Sequence, residues 1–395
     1  MRGFRERTPV AEVLALIDAR ATPVEAEAVS VTESAGRVLA EGVVSAVNVP
    51  AFARSAMDGY AVRAADVSGE LRLVGESLPA RPFGGSVGVG ECVRIMTGAP
   101  IPAGADAVVM AELAVEAGDR VTVQQGVAAG KHVVRVGEDV TAGREVLRAG
   151  RRLRPQDVGL LASVGAGAVR CVRRPRVAVL ATGDELLPPG SEPHAGRVVD
   201  SNGPMLAALV ARDGGIALPV EYIADNFDAV RHAVATTDAE VVLVSGGSSV
   251  GTEDHAPRAV AELGELAIHG IAMKPGSPAG VGFVGRKVVF LLPGNPVACL
   301  CTYDLFAGRA VRLLGGRPPE LPYRSELVPL ASPVASAGGR VDYVRVRVVE
   351  GRAVPVAAGG ASVLSSTVEA DGFTLIEHDR AALAAGEVVR VWLYE

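Results

Sequence analysis

Four consecutive apolar residues, Val241-Val242-Leu243-Val244, run without polar alternation into Ser245-Gly246-Gly247-Ser248-Ser249-Val250-Gly251-Thr252-Glu253-Asp254-His255. An unbroken β-favouring run of this kind reads as a strand covered on both faces, the habit of a parallel sheet with helices on either side. The glycine pair ends it abruptly. Paired glycines let backbone N–H groups turn toward an anion with no Cβ in the way, and Ser248 and Ser249 add hydroxyls beside them. Glu253 and Asp254 follow at the predicted start of a helix over 256–263, where the helix dipole stabilises carboxylates and acids can also hold a divalent cation. A glycine pair alone is more often a plain connection between strand and helix than a ligand site, and the remaining chain shifts that balance.

The chain has 395 residues, 49% of them hydrophobic and 21% charged, an ordinary soluble balance with length for roughly two to four domains. A net charge of −6 argues against a nucleic-acid partner, because the arginines are scattered and no domain-scale basic surface is implied. Lysine occurs only at Lys131, Lys274 and Lys287, so each lysine is a candidate for a specific role. The N-terminus has no apolar core of a leader peptide, and no window approaches the roughly 18 apolar residues of a membrane span, so a cytoplasmic protein is expected. Cys92, Cys171, Cys299 and Cys301 lack C-x-x-C spacing, and the histidines are dispersed. Neither a zinc site nor a histidine-based triad is written here.

Taken in order, Thr8-Pro9 reads as N-cap and first helical residue of a helix ending near Arg20. A strand around 28–31 and a helix through 36–41 follow. From 44 to 139 short β-prone runs are broken by Gly and Pro, which predicts a small inserted β domain. Helical signals resume at Arg154-Pro155-Gln156-Asp157. A regular alternation then predicts strands at 177–181, 217–223, 241–245, 266–271, 280–284 and 287–292, with helices near 203–212, 228–236, 256–263 and 296–314. This is a doubly wound, mostly parallel sheet, whose ligands bind outside the carboxyl ends of the strands. Thr182-Gly183-Asp184-Glu185, Asp225-Asn226, the glycine loop, Lys274-Pro275-Gly276 and Pro293-Gly294-Asn295-Pro296 all fall at such ends. Beyond 318, alternating runs predict a C-terminal β-barrel or sandwich in which nothing looks catalytic.

Ser55-Ala56-Met57-Asp58-Gly59-Tyr60-Ala61, Arg94-Ile95-Met96-Thr97-Gly98-Ala99, Thr182-Gly183-Asp184-Glu185-Leu186, Ser245-Gly246-Gly247 through Asp254, and Pro293-Gly294-Asn295-Pro296-Val297 occur together in that order. In this combination the chain resembles the molybdopterin molybdenumtransferase family, bacterial MoeA and the E domain of gephyrin, over essentially its whole length. The family's four-domain layout agrees with the periodicity reading. That reading has a helical linker domain over 1–43 plus 140–174, an inserted β domain over 44–139, a doubly wound domain over 175–317, which the resemblance implies is of molybdopterin-binding type, and a C-terminal β domain over 318–395.

The resemblance implies the last step of molybdenum cofactor synthesis: adenylylated molybdopterin is bound, its phosphoanhydride is cleaved to release AMP, and molybdate enters the dithiolene. Gly246, Gly247, Ser248, Ser249 and Lys274 would supply donors to the anions. Glu185, Asp225 and Asp254 would hold Mg²⁺. Gly251, Ser277, Asp139 and Pro293-Gly294-Asn295-Pro296 would line the substrate. On the family's pattern the protein is a homodimer in which Asp58 and Thr97 face the site from across the interface. For Asp58, a turn residue before Gly59 is an equal reading of the residues alone. A molybdopterin adenylyltransferase upstream and apo-molybdoenzymes or their chaperones downstream are the implied partners.

One departure stands out. The family's Lys-Pro-Gly-Lys-Pro is here Lys274-Pro275-Gly276-Ser277-Pro278, so one cation is missing unless an arginine elsewhere supplies it. Two other functional classes remain: a non-catalytic molybdopterin carrier or scaffold, and a pyrophosphatase-like enzyme related to competence-damage proteins. The corresponding loop of the latter runs Gly-Gly-Leu-Gly-Pro-Thr rather than Gly-Gly-Ser-Ser-Val-Gly.

Overall fold

The structure is a computed structural model and describes residues 7–67, 69–194, 196–248, 255–357 and 360–394. It divides into two compact units, one built from 1–27 with 172–395 and the other from 28–171. No helix among the described residues is long and apolar enough to cross a membrane.

The larger unit opens with α1 (Val10–Arg20). Thr8 is not its cap: the Thr8 N–H donates to Gly270 O and Thr8 O accepts from Ala272, so the helix begins one residue later than expected, at Val10. The central sheet contains β1 (Arg176–Thr182), β2 (Glu221–Ile223), β3 (Val241–Ser245), β4 (Glu265–His269), β5 (Gly280–Val284) and β6 (Lys287–Leu292). Its order is β2-β1-β3-β6-β5-β4, with a short stretch at Ile216–Ala217 also on β1. The expected single strand over 217–223 is split at Pro219, which has no N–H to give the ladder. β1, β2, β3 and β6 are parallel, whereas β5 is antiparallel to both β6 and β4. Two reversals leave β4 running with the parallel set, so its carboxyl end rises at the same edge.

Both faces are covered, as the unbroken apolar strands require. Val177, Val179, Val241, Leu243 and Phe290 pack against α1, α2 (Asn202–Arg212), α5 (Pro296–Thr302) and α6 (Gly308–Leu314). The alternate residues Ala178, Leu180, Val242, Val244 and Leu291 pack against α3 (Phe227–Thr236) and α4 (His255–Leu263). Val241, Val242, Leu243 and Val244 are completely buried, each contributing about 1.5–3 kcal/mol. The long helix expected over 296–314 is interrupted by a π-helical turn, Tyr303–Ala307. α1, expected with the linker helix, packs through Val13 and Ile17 into this core.

The C-terminal part forms a sheet of β7 (Arg324–Pro329), β8 (Val341–Val349), β9 (Arg352–Ala357), β10 (Gly372–Ile376) and β11 (Val388–Leu393). The order β9-β8-β10-β11-β7 is bent back on itself by a bridge from Leu330 to Ala353, around a core of Val344, Val346, Ile376 and Val391. Met273–Lys274 adds to β8 in parallel, beside Val341 and Asp342.

The smaller unit holds a six-stranded sheet in the order Ala107–Met110, Gly59–Val62, Glu91–Ile95, Glu70–Ser77, Arg120–Val123, Ala114–Ala117. In the same unit the helix Pro155–Ser163 buries Leu161 in a cluster with Val29, Leu39 and Leu147. The helix expected over 36–41 does not form: Gly36 turns at φ 78° and Val38 and Leu39 make bridges to Arg152 and Cys171.

Candidate active site

The loops at the carboxyl ends of β1, β2, β3, β4 and β6 enclose two cavities in the larger unit. The first, about 770 Å³, is lined by Thr182, Glu185, Asp225, Gly246, Gly247 and Ser248, with Pro293-Gly294-Asn295-Pro296 along one wall. The second, about 320 Å³, is lined by Lys274 to Pro278 and by Arg7, Arg340, Tyr343 and Arg345. Pro278, Pro293 and Asn295 belong to both, so the cavities share a wall.

Gly246 has φ +100°, and a Cβ there would lie 2.4 Å from Thr182 O, so only glycine fits where β3 leaves the sheet beside β1. Its own N–H donates to Leu292 O at 3.1 Å. Gly246 is therefore no anion donor, contrary to expectation, and its part is to turn the chain. Gly247 follows at φ +55°, and a Cβ there would stand 3.8 Å from Asp225 Oδ1, which sets that carboxylate against the glycine turn. Ser248 is buried, and its carbonyl accepts from His269 Nε2 at 2.9 Å, tying the turn to the end of β4. Ser249, Gly251 and Asp254 lie outside the described residues.

Asp225 immediately precedes α3, whose N-cap Asn226 accepts from the Ala229 N–H at 2.9 Å. The Asp225 N–H donates to Asp184 Oδ1 at 3.2 Å. The Glu185 carboxylate folds back over Gly183, 2.6 Å from where a Cβ would be. Glu185 and Asp225 thus line one cavity, and their carboxylate oxygens are the hard donors that Mg²⁺ takes. Among the described residues no group of three acids, histidines or cysteines is placed to hold a metal, the third expected ligand being Asp254.

Sequence reasoning missed Asn202, which is buried and ties three elements together: its Nδ2 donates to Ser245 Oγ at 2.9 Å and to Gly294 O at 2.8 Å. Asp200 caps the same helix by accepting from the Asn202 and Gly203 N–H groups. Asp200-Ser201-Asn202 signals a helix start, but nothing local tells that Asn202 bridges β3 to the loop after β6. Cys299 lies behind Ser245, fully buried, and burial pushes its thiol up to about 12, which removes it as a nucleophile.

In the second cavity Lys274 is exposed, and Ser277 Oγ is buried with no hydrogen-bond partner. Arg340 donates to Asp342 at 2.7 Å, and Arg345 is almost wholly buried and bonded to Ser366 Oγ. The C-terminal β domain, expected to carry nothing chemical, thus supplies two guanidinium groups beside the lysine the sequence singled out. The arginines lie 66 and 71 residues beyond Lys274 (340 − 274 and 345 − 274), so no local spacing announces them.

In the smaller unit, Asp58 Oδ1 accepts from the Thr97 N–H at 2.7 Å and from Thr97 Oγ1 at 2.8 Å. The Thr97 amide, then its hydroxyl, hold the Asp58 carboxyl below its ordinary range. A bond reaching across 39 residues makes Asp58 more than a turn residue. Asp139 lies exposed on another loop, its N–H donating to Val49 O at 3.0 Å.

A doubly wound domain of this kind binds its ligands outside the carboxyl ends of its strands, and the glycine turn, carboxylates and basic pocket gathered there suit anionic ones. Family models match along the chain: the MoeA N-terminal region (domain I and II) over residues 8–165, a probable molybdopterin binding domain over 178–312, and the MoeA C-terminal region (domain IV) over 328–394. The chain is 33% identical over 380 residues to the molybdopterin molybdenumtransferase of Haemophilus influenzae, covering 93% of this chain and 94% of that one. It is 36% identical over 387 residues to molybdopterin molybdenumtransferase 2 of Mycobacterium tuberculosis, covering 92% and 94%. A crystal structure of the molybdopterin biosynthesis MoeA protein from Pyrococcus horikoshii superposes with a TM-score of 0.86 at 31% identity, covering 99% of this chain and all of that one. The chain belongs to the MoeA family of molybdopterin molybdenumtransferases.

Proposed function

We propose that this protein cleaves adenylylated molybdopterin and inserts molybdate into its dithiolene, using the two cavities for the two halves of the task. The observation that carries the reading is their shared wall: carboxylates and a glycine turn face one cavity, and Lys274, Arg340 and Arg345 face the other. In the first, the backbone at Gly247 and Ser248 takes the phosphoanhydride, and Asn202 keeps β3 and the Pro293–Pro296 loop in register around it. Glu185 and Asp225, with Asp254, would hold Mg²⁺, which when bound neutralises phosphate charge as the anhydride breaks. Water attacks the phosphorus on the molybdopterin side, its bond to the bridging oxygen breaks, AMP leaves with that oxygen, and the proton lost by the water passes to solvent, leaving molybdopterin phosphate. In the second cavity the cations hold molybdate next to the dithiolene, whose two sulfurs bond molybdenum as one oxo group leaves as water with the two thiol protons.

Three further elements belong to the proposal. A second copy of the chain contributes Asp58 and Thr97 to each site, so the working form is a homodimer. A molybdopterin adenylyltransferase delivers the substrate, and apo-molybdoenzymes or their chaperones take the product. Arg340 and Arg345 supply the charge that Ser277 lacks.

A carrier would bind the same ligand, but carboxylates beside phosphates weaken the binding of a polyanion unless a cation and a reaction call for them. The MoeA-type regions flanking the doubly wound domain set the competence-damage alternative aside. Single-turnover release of AMP from adenylylated molybdopterin, with and without Mg²⁺, tests the reading; tight binding without AMP release would make the protein a carrier.

A further inference from the structure

Behind the basic cavity lies a buried ionic cluster that the chemistry above does not use. Asp213 and Asp304 are fully buried, and Arg312 nearly so. Arg212 Nη2 donates to Asp213 at 2.8 Å and to Asp304 at 2.9 Å, and Arg312 Nη1 donates to Asp213 at 2.9 Å. These four groups come from the last residue of α2 and the one after it, the π-helical turn and α6. The C-terminal β domain answers with tyrosines: the Tyr323 hydroxyl lies 3.0 Å from both Asp304 oxygens, and the Tyr343 hydroxyl donates to Oδ2 at 3.3 Å. Tyr394 OH stands 2.8 Å from Tyr343 OH.

Buried ion pairs are poor stabilisers compared with apolar packing of the same shape, so their use here calls for a positional reason. The geography suggests one. Asp304 sits in a π-helical turn, a rare form that tends to occur at functional sites. Tyr343 alone among the three tyrosines lines the basic cavity. Side chains alternate along a strand, so Tyr343 and Arg345 share one face of β8 while Val344 and Val346 enter the β-domain core. The same strand begins beside Arg340 and pairs with Met273–Lys274. The Tyr343 ring is stacked on Phe373 at 4.0 Å, a contact that permits sliding, whereas a hydrogen bond to a fixed carboxylate does not.

We infer that Asp304 is a positioning residue which, through the Tyr343 hydroxyl, anchors β8 on the π-helical turn and so sets the place of Arg345, Arg340 and Lys274 around the oxyanion cavity. The inference rests on the reading of that cavity as the molybdate site.

The test is equilibrium binding of molybdate to the full-length protein, with thermal unfolding measured alongside. Tyr343→Phe removes the hydroxyl and keeps the stacked ring. Tyr323→Phe removes a hydroxyl that contacts both oxygens of the same carboxylate and accepts from Arg212, a larger loss to the cluster that does not touch the cavity. Positioning predicts that Tyr343→Phe, and Asp304→Asn if it folds, weaken molybdate binding about tenfold, the factor that 1.4 kcal/mol represents, while Tyr323→Phe binds as wild type. Equal binding by Tyr343→Phe and wild type would overturn the inference and leave the cavity assignment standing. Binding lost equally in both tyrosine variants, in step with their melting temperatures, would make the cluster purely structural. Wild-type binding that Lys274→Ala does not change would remove the cavity assignment and the inference with it.

Discussion

Replacing Gly246 by alanine probes the joint between β1 and β3 on which the first cavity depends. The new Cβ would stand 2.4 Å from Thr182 O and 2.8 Å from Thr182 Oγ1. The nearer atom is backbone and cannot swing away. Ordinary contact begins at 3.4 Å, so the loops must part by 3.4 − 2.4 = 1.0 Å, or β3 must lose its bond from Gly246 to Leu292. Holding alanine at φ +100° adds about 1–3 kcal/mol of strain, which lowers the melting temperature by roughly 2–12 °C in a unit of this size. The larger effect is on chemistry: an ångström of misplacement between the glycine turn and the Thr182–Glu185 loop costs about a hundredfold in turnover. Gly247→Ala is the internal control. Its φ of +55° suits the left-handed region better, and its Cβ meets the Thr182 hydroxyl at 3.3 Å, which can rotate, and Asp225 Oδ1 at an ordinary 3.8 Å. AMP release under single-turnover conditions should fall about a hundredfold for Gly246→Ala and less than about tenfold for Gly247→Ala. Wild-type turnover in Gly246→Ala would refute the claim that this close approach shapes the site.

Ser277→Lys should change the molybdate half-saturation less than about threefold, because Arg340 and Arg345 already charge that cavity; an improvement of tenfold or more would show a cation missing. Mixing Asp58→Ala with Asp225→Ala protein should restore part of the activity that each lacks, since a heterodimer regains one intact site; no recovery after proven subunit exchange would exclude composite sites. In the smaller unit, burial pushes the Asp157 carboxyl up, but Arg151 and Arg154 hold it well below the ordinary range. A depressed acid stabilises fully above its unfolded value of about 3.9 and loses that contribution as pH falls toward the folded value, so acid unfolding of wild type should steepen below about pH 4 and Asp157→Asn should lack that step. A wild-type profile shared by Asp157→Asn would show that the arginine pairs contribute nothing.

What the sequence made legible follows from the range of each signal. Val241–Val244 announced a doubly covered strand because four apolar residues in a row admit few alternatives, and the strand is buried throughout. Gly246-Gly247 marked the turn, although the sequence could not tell that the first glycine's N–H belongs to the sheet. The mostly parallel reading did not say which strand runs the other way; it is β5, since a two-residue connection between 284 and 287 reverses the chain without altering apolar content. Residues 36–41 have helix-forming neighbours, yet bridges to distant strands override local preference. Asn202, Arg340 and Asp304 were invisible for the same reason: each acts through a partner brought near only by the fold.

The most direct measurement is one turnover of adenylylated molybdopterin on the wild-type protein with molybdate and Mg²⁺, following AMP and molybdenum-bound pterin together. The account predicts one AMP per site and molybdenum in the pterin, with Asp225→Asn blocking AMP release and Lys274→Ala shifting only the molybdate dependence. Substrate retained intact by the wild-type protein, or both variants failing at the same step, would contradict it.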